Sequence, residues 1–172
     1  MPDLAPAASV RPQWYFEDLD VGTELVGLVK GPMTTLHIMR WSAAMENWHR
    51  IHYDQQFARD VDGLPNVLVN GSWKQQVLCQ LVKDFAGRGG WLWRIRFEFR
   101  DMDPAGNTVI AGGRVEELAE QGDLGYARCS VYLTNQLDKV TTRGAAIAVL
   151  PKRDGPKVPF PFRPPAKCPV EW

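Results

Sequence analysis

No stretch of this sequence approaches the roughly 18–20 consecutive apolar residues needed to span a bilayer. Its first ten residues, rich in Pro and Ala with an acid at Asp3, do not read as a signal peptide. Charge of one sign is not in excess either: 20 Lys and Arg face 20 Asp and Glu, which gives no footprint for nucleic acid or an anionic membrane. The three cysteines, Cys79, Cys129 and Cys168, are scattered with no CxxC pair, and an odd set of that kind suits a reducing compartment. A Gly-rich phosphate loop is missing, so no nucleotide cofactor is indicated. These absences together predict a soluble, cytoplasmic protein without membrane or nucleic-acid partners. Histidine is scarce as well, and two of the three fall three residues apart.

Those two sit in Asn47-Trp48-His49-Arg50-Ile51-His52-Tyr53-Asp54. Imidazole is the side chain best matched to proton transfer near neutral pH, and no other segment concentrates as much potential chemistry. At 172 residues the chain is expected to form one domain with a sizeable core, and its 45% hydrophobic and 23% charged residues are ordinary for one. Seven tryptophans are many for that length, and most are assigned to core or interface.

Along the chain, residues 1–13 read as a flexible lead and 14–150 as the domain. A turn at 17–23 precedes a strand at 24–29, which Gly31-Pro32 ends. Thr34 or Thr35 caps a helix running to about Glu46, with Leu36, Met39 and Ala43 as its apolar stripe and His37 as a surface or packing residue in its first turn. Residues 54–66 form a loop with one short helical turn. Val67-Leu68-Val69 then leads through Asn70-Gly71-Ser72 into a long helix ending near Ala86. Val77, Leu78, Leu81, Val82 and Phe85 lie on one face of that helix, and Gly87, Gly89 and Gly90 stop it. Trp91, Trp93, Ile95, Phe97 and Phe99 alternate with polar or smaller neighbours, predicting a strand with one buried face. Three further strands at 108–119, 125–135 and 140–150, joined by turns, complete an antiparallel meander. The proline-rich tail, 151–172, is predicted to be an extended arm anchored by Phe160, Phe162 and Trp172. The order gives an α+β fold, an antiparallel sheet curled around one long helix.

This order, with the residues of two loops, resembles the hotdog fold, and specifically the MaoC-like hydratase/dehydratase family over roughly residues 14–150. The family motif Asp-x-Asn-Pro-(Leu/Ile)-His is matched here by Asn47-Trp48-His49-Arg50-Ile51-His52, after a helix with Ser42-Ala43-Ala44. The family's histidine falls at His52, its aspartate at Asn47 and its middle asparagine at His49. A second signature, an apolar run followed by His-Gly, becomes Val67-Leu68-Val69-Asn70-Gly71. The eight residues 47–54 are similar to the subgroup of type 2 hydroxyacyl-thioester dehydratases and mesaconyl-CoA hydratase-like proteins. Asn47 removes the carboxylate that the wider family uses.

The resemblance implies reversible hydration of the 2,3 double bond of an enoyl thioester, coenzyme A being favoured as carrier over acyl carrier protein. It implies no cofactor, and a homodimer or a heterodimer with a second hotdog chain. That chemistry needs a base for water, an acid for C2 and a donor for the enolate oxygen. His52 is the expected acid/base, the other reading being a histidine hydrogen-bonded to backbone at a helix end. His49 orients the water, shares the proton work, or takes the hydrogen-bonding place of the family's asparagine. Asn47 cannot titrate, but it can hold a water or fix a tautomer. Asp54 orients His52 or is a solvated loop carboxylate. Gly71 and Asn70 stand where the helix N-terminus would receive the carbonyl, or Gly71 is a plain turn glycine. Arg50 pairs with a substrate carboxylate, with a coenzyme A phosphate, or with a neighbouring acid. Trp48 and Trp73 line an acyl pocket or the core. Metal is not expected: two histidines at i, i+3 would need His37, Glu46 or Asp54 to complete a site. Two other readings stay open, an acyl-CoA thioesterase and a non-catalytic partner subunit of a hydratase.

Overall fold

A single long helix, α3 (Gly71–Ala86), lies across a five-stranded antiparallel sheet. The computed structural model describes residues 13–172. The flexible lead expected at 1–13 therefore lies outside the described residues except for Gln13, which is anchored. Its side-chain amide donates to the Ala86 carbonyl at 2.9 Å and accepts from the Gly89 N–H at 2.7 Å, capping the far end of α3.

The predicted face of α3 is the buried one: Val77, Leu78, Leu81, Val82 and Phe85 are all in the core. Burial of each such side chain contributes about 1.5–3 kcal/mol. Gly87 ends the helix with φ +70°, a left-handed conformation that a residue with Cβ adopts at a cost. The strands are β1 (Leu28–Lys30), β2 (Trp91–Phe99), β3 (Val109–Gln121), β4 (Leu124–Thr134) and β5 (Val140–Pro151). Their spatial order is β1-β3-β4-β5-β2. Val115, Ala127, Cys129, Val131, Leu133, Ala146, Ala148 and Leu150 line the helix side.

Two expectations about β2 are corrected. It does not lead into β3 as a hairpin but pairs with β5 at the opposite edge, so only β3, β4 and β5 form a meander. The intervening residues are used elsewhere. Asp103 and Ala105 pair with Val69 and Val67, and Gly106 and Asn107 pair with Met33. The alternation in β2 also breaks. The register shifts between Leu92 and Arg94, and such an inserted residue inverts which side chains face in. Leu92, Ile95 and Phe97 thus pack on the main core, whereas Trp93 joins Tyr126, Ile147 and Val149 on the outer face.

That outer face is where the proline-rich arm lies. Phe162, Val170 and Trp172 pack there, with the Phe162 ring 5.6 Å from that of Trp93. The guanidinium of Arg96 sits 4.8 Å from the Trp172 ring centre. Phe160 does not anchor the arm: it is 85% exposed and only tilts against Trp91.

Helix α1 (Thr35–Ala44) begins at the predicted cap, Thr34, but buries Ile38 and Ser42, not the Leu36, Met39, Ala43 stripe. Leu36 faces outward because α1 crosses only the start of α3, where Ser42 meets Asn70. A short 3-10 turn (Arg50–His52) and α2 (Gln55–Asp60) follow before the 67–69 run. Among the described residues no helix is long and apolar enough to cross a membrane.

Candidate active site

His52 ends the 3-10 turn, half-buried beside the apolar run that precedes α3. Its Nδ1 lies 2.8 Å from the Leu68 carbonyl oxygen. A carbonyl can only accept, so Nδ1 carries the proton and Nε2 keeps its lone pair. The turn is fixed to the same run from the other direction, as the Leu68 N–H donates to the Ile51 carbonyl at 2.9 Å. Burial holds His52 below the ordinary histidine value of 6.5; its Leu68 bond works against that shift, and the nearby His49 works with it.

Leu68 is three residues before Gly71, the first residue of α3. The N–H groups of a helix's first turn have no partner within the helix, and the helix dipole makes that end positive. Gly71 also lets a ring pack against this end of α3. A Cβ at this position would stand 2.8 Å from the Phe99 ring, so the space that the glycine leaves is occupied by that ring. A shallow cavity of about 230 Å³ remains alongside, lined by Leu68, Gly71, Lys74, Phe99 and Met102.

His49 and His52 come together, their ring centres 6.2 Å apart in an edge-on arrangement. His49 is exposed and caps the 3-10 turn, its Nδ1 accepting from the Ile51 N–H at 3.5 Å. Asn47 accepts from the His49 N–H through Oδ1 at 3.3 Å and so orders the start of that turn. Asn70 is fully buried and spent on Ser42, with its amide nitrogen 3.0 Å from the hydroxyl oxygen. Arg50 and Asp54 pair with each other at 2.7 Å, and the guanidinium also lies over the Phe57 ring. Asp54 further accepts from the Phe57 N–H at 2.9 Å, capping α2, so its hydrogen bonds go to Arg50 and Phe57 and none to His52. Those bonds hold its carboxyl below the usual carboxylate range. Trp48 is exposed and edge-on to Tyr53, outside the core. Trp73 packs at the core margin on the far side of the α3 start, where the Trp41 ring N–H donates to Ser72 Oγ at 2.9 Å.

One feature beneath the site carries no motif in the sequence. Lys74 and Asp103 are buried together, 2.5 Å apart, and Lys74 also donates to the Asp101 carbonyl at 2.9 Å. The pair ties the 101–105 segment to the first turn of α3. Lys74 lies one turn before Val77 and Leu78 on the buried face of α3, and that was the only available signal. No group of three or more potential metal ligands is assembled among the described residues.

Residues 28–107 match the family model for hydroxyacyl-thioester dehydratase type 2. The chain is 30% identical over 95 residues to a mesaconyl-C(4)-CoA hydratase of Chloroflexus aurantiacus, covering 54% of this chain and 34% of that protein. It thus spans about a third of the length of that curated relative. An (R)-hydratase from A. caviae superposes with a TM-score of 0.70 at 21% identity, over 78% of this chain and 99% of the other. A MaoC-like dehydratase from Rhodospirillum rubrum gives 0.69 at 17% identity, over 81% and 98%. These likenesses establish the hotdog fold.

Proposed function

We propose that this chain belongs to the MaoC-like hotdog hydratase/dehydratase family, which it resembles, and adds water to, or removes it from, the 2,3 bond of an acyl-coenzyme A thioester. The observation that carries the reading is the bond between His52 and Leu68. It presents a neutral imidazole, with Nε2 unprotonated, at the junction where the α3 N-terminus can receive a thioester carbonyl.

In the hydration direction, Nε2 of His52 takes a proton from water as the oxygen attacks C3. The pair of electrons displaced from the double bond moves to the thioester oxygen. The N–H groups at Gly71 and the helix dipole stabilise that oxyanion. The imidazolium then returns a proton to C2, and the dehydration follows the same path in reverse. His49 raises the cost of holding the imidazolium, which favours the return step. Asn47 shapes the turn that carries both rings and contributes no proton. Arg50, bound to Asp54, fixes the turn and α2, and its remaining donors face solvent for a coenzyme A phosphate. Trp48 is the exposed apolar surface beside the rings, and Asn70 locks α1 to α3. The reaction needs no metal or redox cofactor.

The partner is a second hotdog chain, the same or different. Strand β2 is a nine-residue edge, and Phe99 and Met102 are about half exposed at its end. An exposed edge of that length calls for cover. A mass of about twice 19.4 kDa or more in solution supports this, and a monomer opposes it.

A second reading, a non-catalytic partner subunit, is favoured by one observation: Asn47 stands where the family has an aspartate, and Asn70, where it has a histidine, is buried and bonded to Ser42. Crotonyl-coenzyme A separates the possibilities. Loss of enoyl absorbance supports the hydratase, release of free thiol a thioesterase, and neither the partner subunit. Undiminished hydration by His52→Ala removes the site assignment.

A further inference from the structure

Lys74 puts a cation where the helix dipole disfavours one. It stands in the first turn of α3, near the positive end, and that turn holds no acidic residue. Helical side chains tilt toward the N-terminus, so the Lys74 ammonium is carried back alongside Gly71, three residues earlier on the same face. The Phe99 ring touches both: its centre is 5.8 Å from Lys74 Nζ, and its edge fills the space where a Gly71 Cβ would stand. Gly71 and Lys74 line the cavity of about 230 Å³ at the helix start, together with Leu68, whose carbonyl holds His52.

The polar groups at that cavity are not used up. Lys74 donates to the Asp101 carbonyl at 2.9 Å and meets Asp103 Oδ2 at 2.5 Å, and its three N–H groups find no other acceptor among the described residues. Asp103 lines the same cavity, and its buried Oδ2 has no hydrogen-bond partner. Buried polar groups are ordinarily satisfied. Tying 101–105 to α3 needs no charge at all, since a well-packed apolar pair does as well or better.

We propose that Lys74 is a further catalytic residue: its ammonium, with the first-turn N–H groups of α3, holds the thioester oxygen as that oxygen becomes an enolate. The inference rests on the hydratase reading above. As water adds to C3, the displaced electron pair moves through C2 and the carbonyl carbon to the oxygen, and no proton leaves Lys74. Asp103 keeps the ammonium paired in the interior when no acyl group is bound. The oxygen gains its full charge only during the reaction, so the attraction acts on the transition state more than on the bound thioester.

Two paired variants test this on the full chain, with melting curves to verify folding. Lys74→Met with Asp103→Leu, and Lys74→Gln with Asp103→Asn, each remove both charges and leave neither buried alone. With crotonyl-coenzyme A, either should lose about 10²-fold in kcat and keep KM within about twofold. Acetoacetyl-coenzyme A gives a second readout, because its acidic C2 lets an oxyanion site collect the enolate, which absorbs in the near ultraviolet. Wild type should raise that absorbance and the paired variants should not. A loss carried by KM, an undiminished enolate signal in the folded variants, or no signal in wild type overturns the proposal. His52→Ala should lose hydration and keep the enolate signal. A signal that depends on Lys74 in a wild-type protein that does not hydrate crotonyl-coenzyme A overturns the hydratase reading and leaves this one standing.

Discussion

His52 and Leu68 are joined by a 2.8 Å hydrogen bond from an imidazole nitrogen to a main-chain carbonyl, three residues ahead of Gly71. One contact thereby sets the tautomer of the ring and its place relative to the α3 N-terminus. Removing the ring should lower hydration of crotonyl-coenzyme A about 10²–10⁴-fold, the range for loss of a positioned acid/base. The measurement is kcat by enoyl absorbance with His52→Ala and His52→Gln.

The pH dependence follows from the direction of the His52 shift. Burial lowers its value from 6.5, so the neutral ring persists to more acid pH than in a peptide. The acid limb of kcat/KM should accordingly fall below 6.5. Because His49 pushes in the same direction, His49→Gln should move that limb upward, toward the ordinary value. Because the His52 value is lowered on folding, the unfolded chain binds the proton more readily than the folded one. The contribution of this group is therefore complete above 6.5 and is lost as pH falls through the folded-state value. Urea titrations of wild type and His52→Gln between pH 7 and 5 measure it, and a wild-type curve parallel to the variant's would refute the assignment.

Gly71 serves packing and, in the proposed mechanism, chemistry, and two variants separate these. Gly71→Ala places a methyl 2.8 Å from the Phe99 ring and should cost about 1–3 kcal/mol of stability through overpacking. Adding Phe99→Ala relieves the clash. If the double variant regains hydration, the single loss came from the clash; if stability returns without activity, the methyl blocks the carbonyl site.

Thiol reactivity tests the core. Cys129 lies fully buried on the helix side of β4, and burial pushes its thiol up to about 12. The thiolate is the reactive form, so Ellman's reagent should leave one of the three thiols unmodified until urea unfolds the chain.

The long helix was legible because its periodicity and its place in the fold agree: Val77, Leu78, Leu81, Val82 and Phe85 face the core they were assigned to. Strand β2 was legible as a strand but not in its facing. Trp91 and Trp93 supply the same period-2 signal whether they point inward or, beyond a bulge, outward under the arm. Helix α1 misleads for a related reason. It crosses only the start of α3, so polar Ser42 is buried against Asn70 while Leu36 stays in solvent. Of the site, the imidazole pair and Gly71 were visible as a local pattern. The carbonyl of Leu68, the Phe99 ring and Asp103 arrive from other segments, and a main-chain carbonyl has no letter in the sequence.

Lys74 and Asp103 are the clearest case, and they carry the last prediction. Both are almost completely buried, and the Lys74 ammonium meets Asp103 Oδ2 at 2.5 Å, outside hydrogen-bonding angles. The Asp103 carbonyl accepts from the Val69 N–H at 2.8 Å, next to the residue whose carbonyl holds His52. Lys74→Met leaves a buried carboxylate without its counter-charge and should cost about 3–5 kcal/mol. Lys74→Met with Asp103→Leu removes both charges and should recover most of that stability. The double variant then isolates positioning from folding. If the pair only stabilises the domain, the acid limb of kcat/KM stays where wild type has it. If it also sets the 67–69 run against 101–105, the His52–Leu68 bond loosens and that limb shifts while the melting temperature does not.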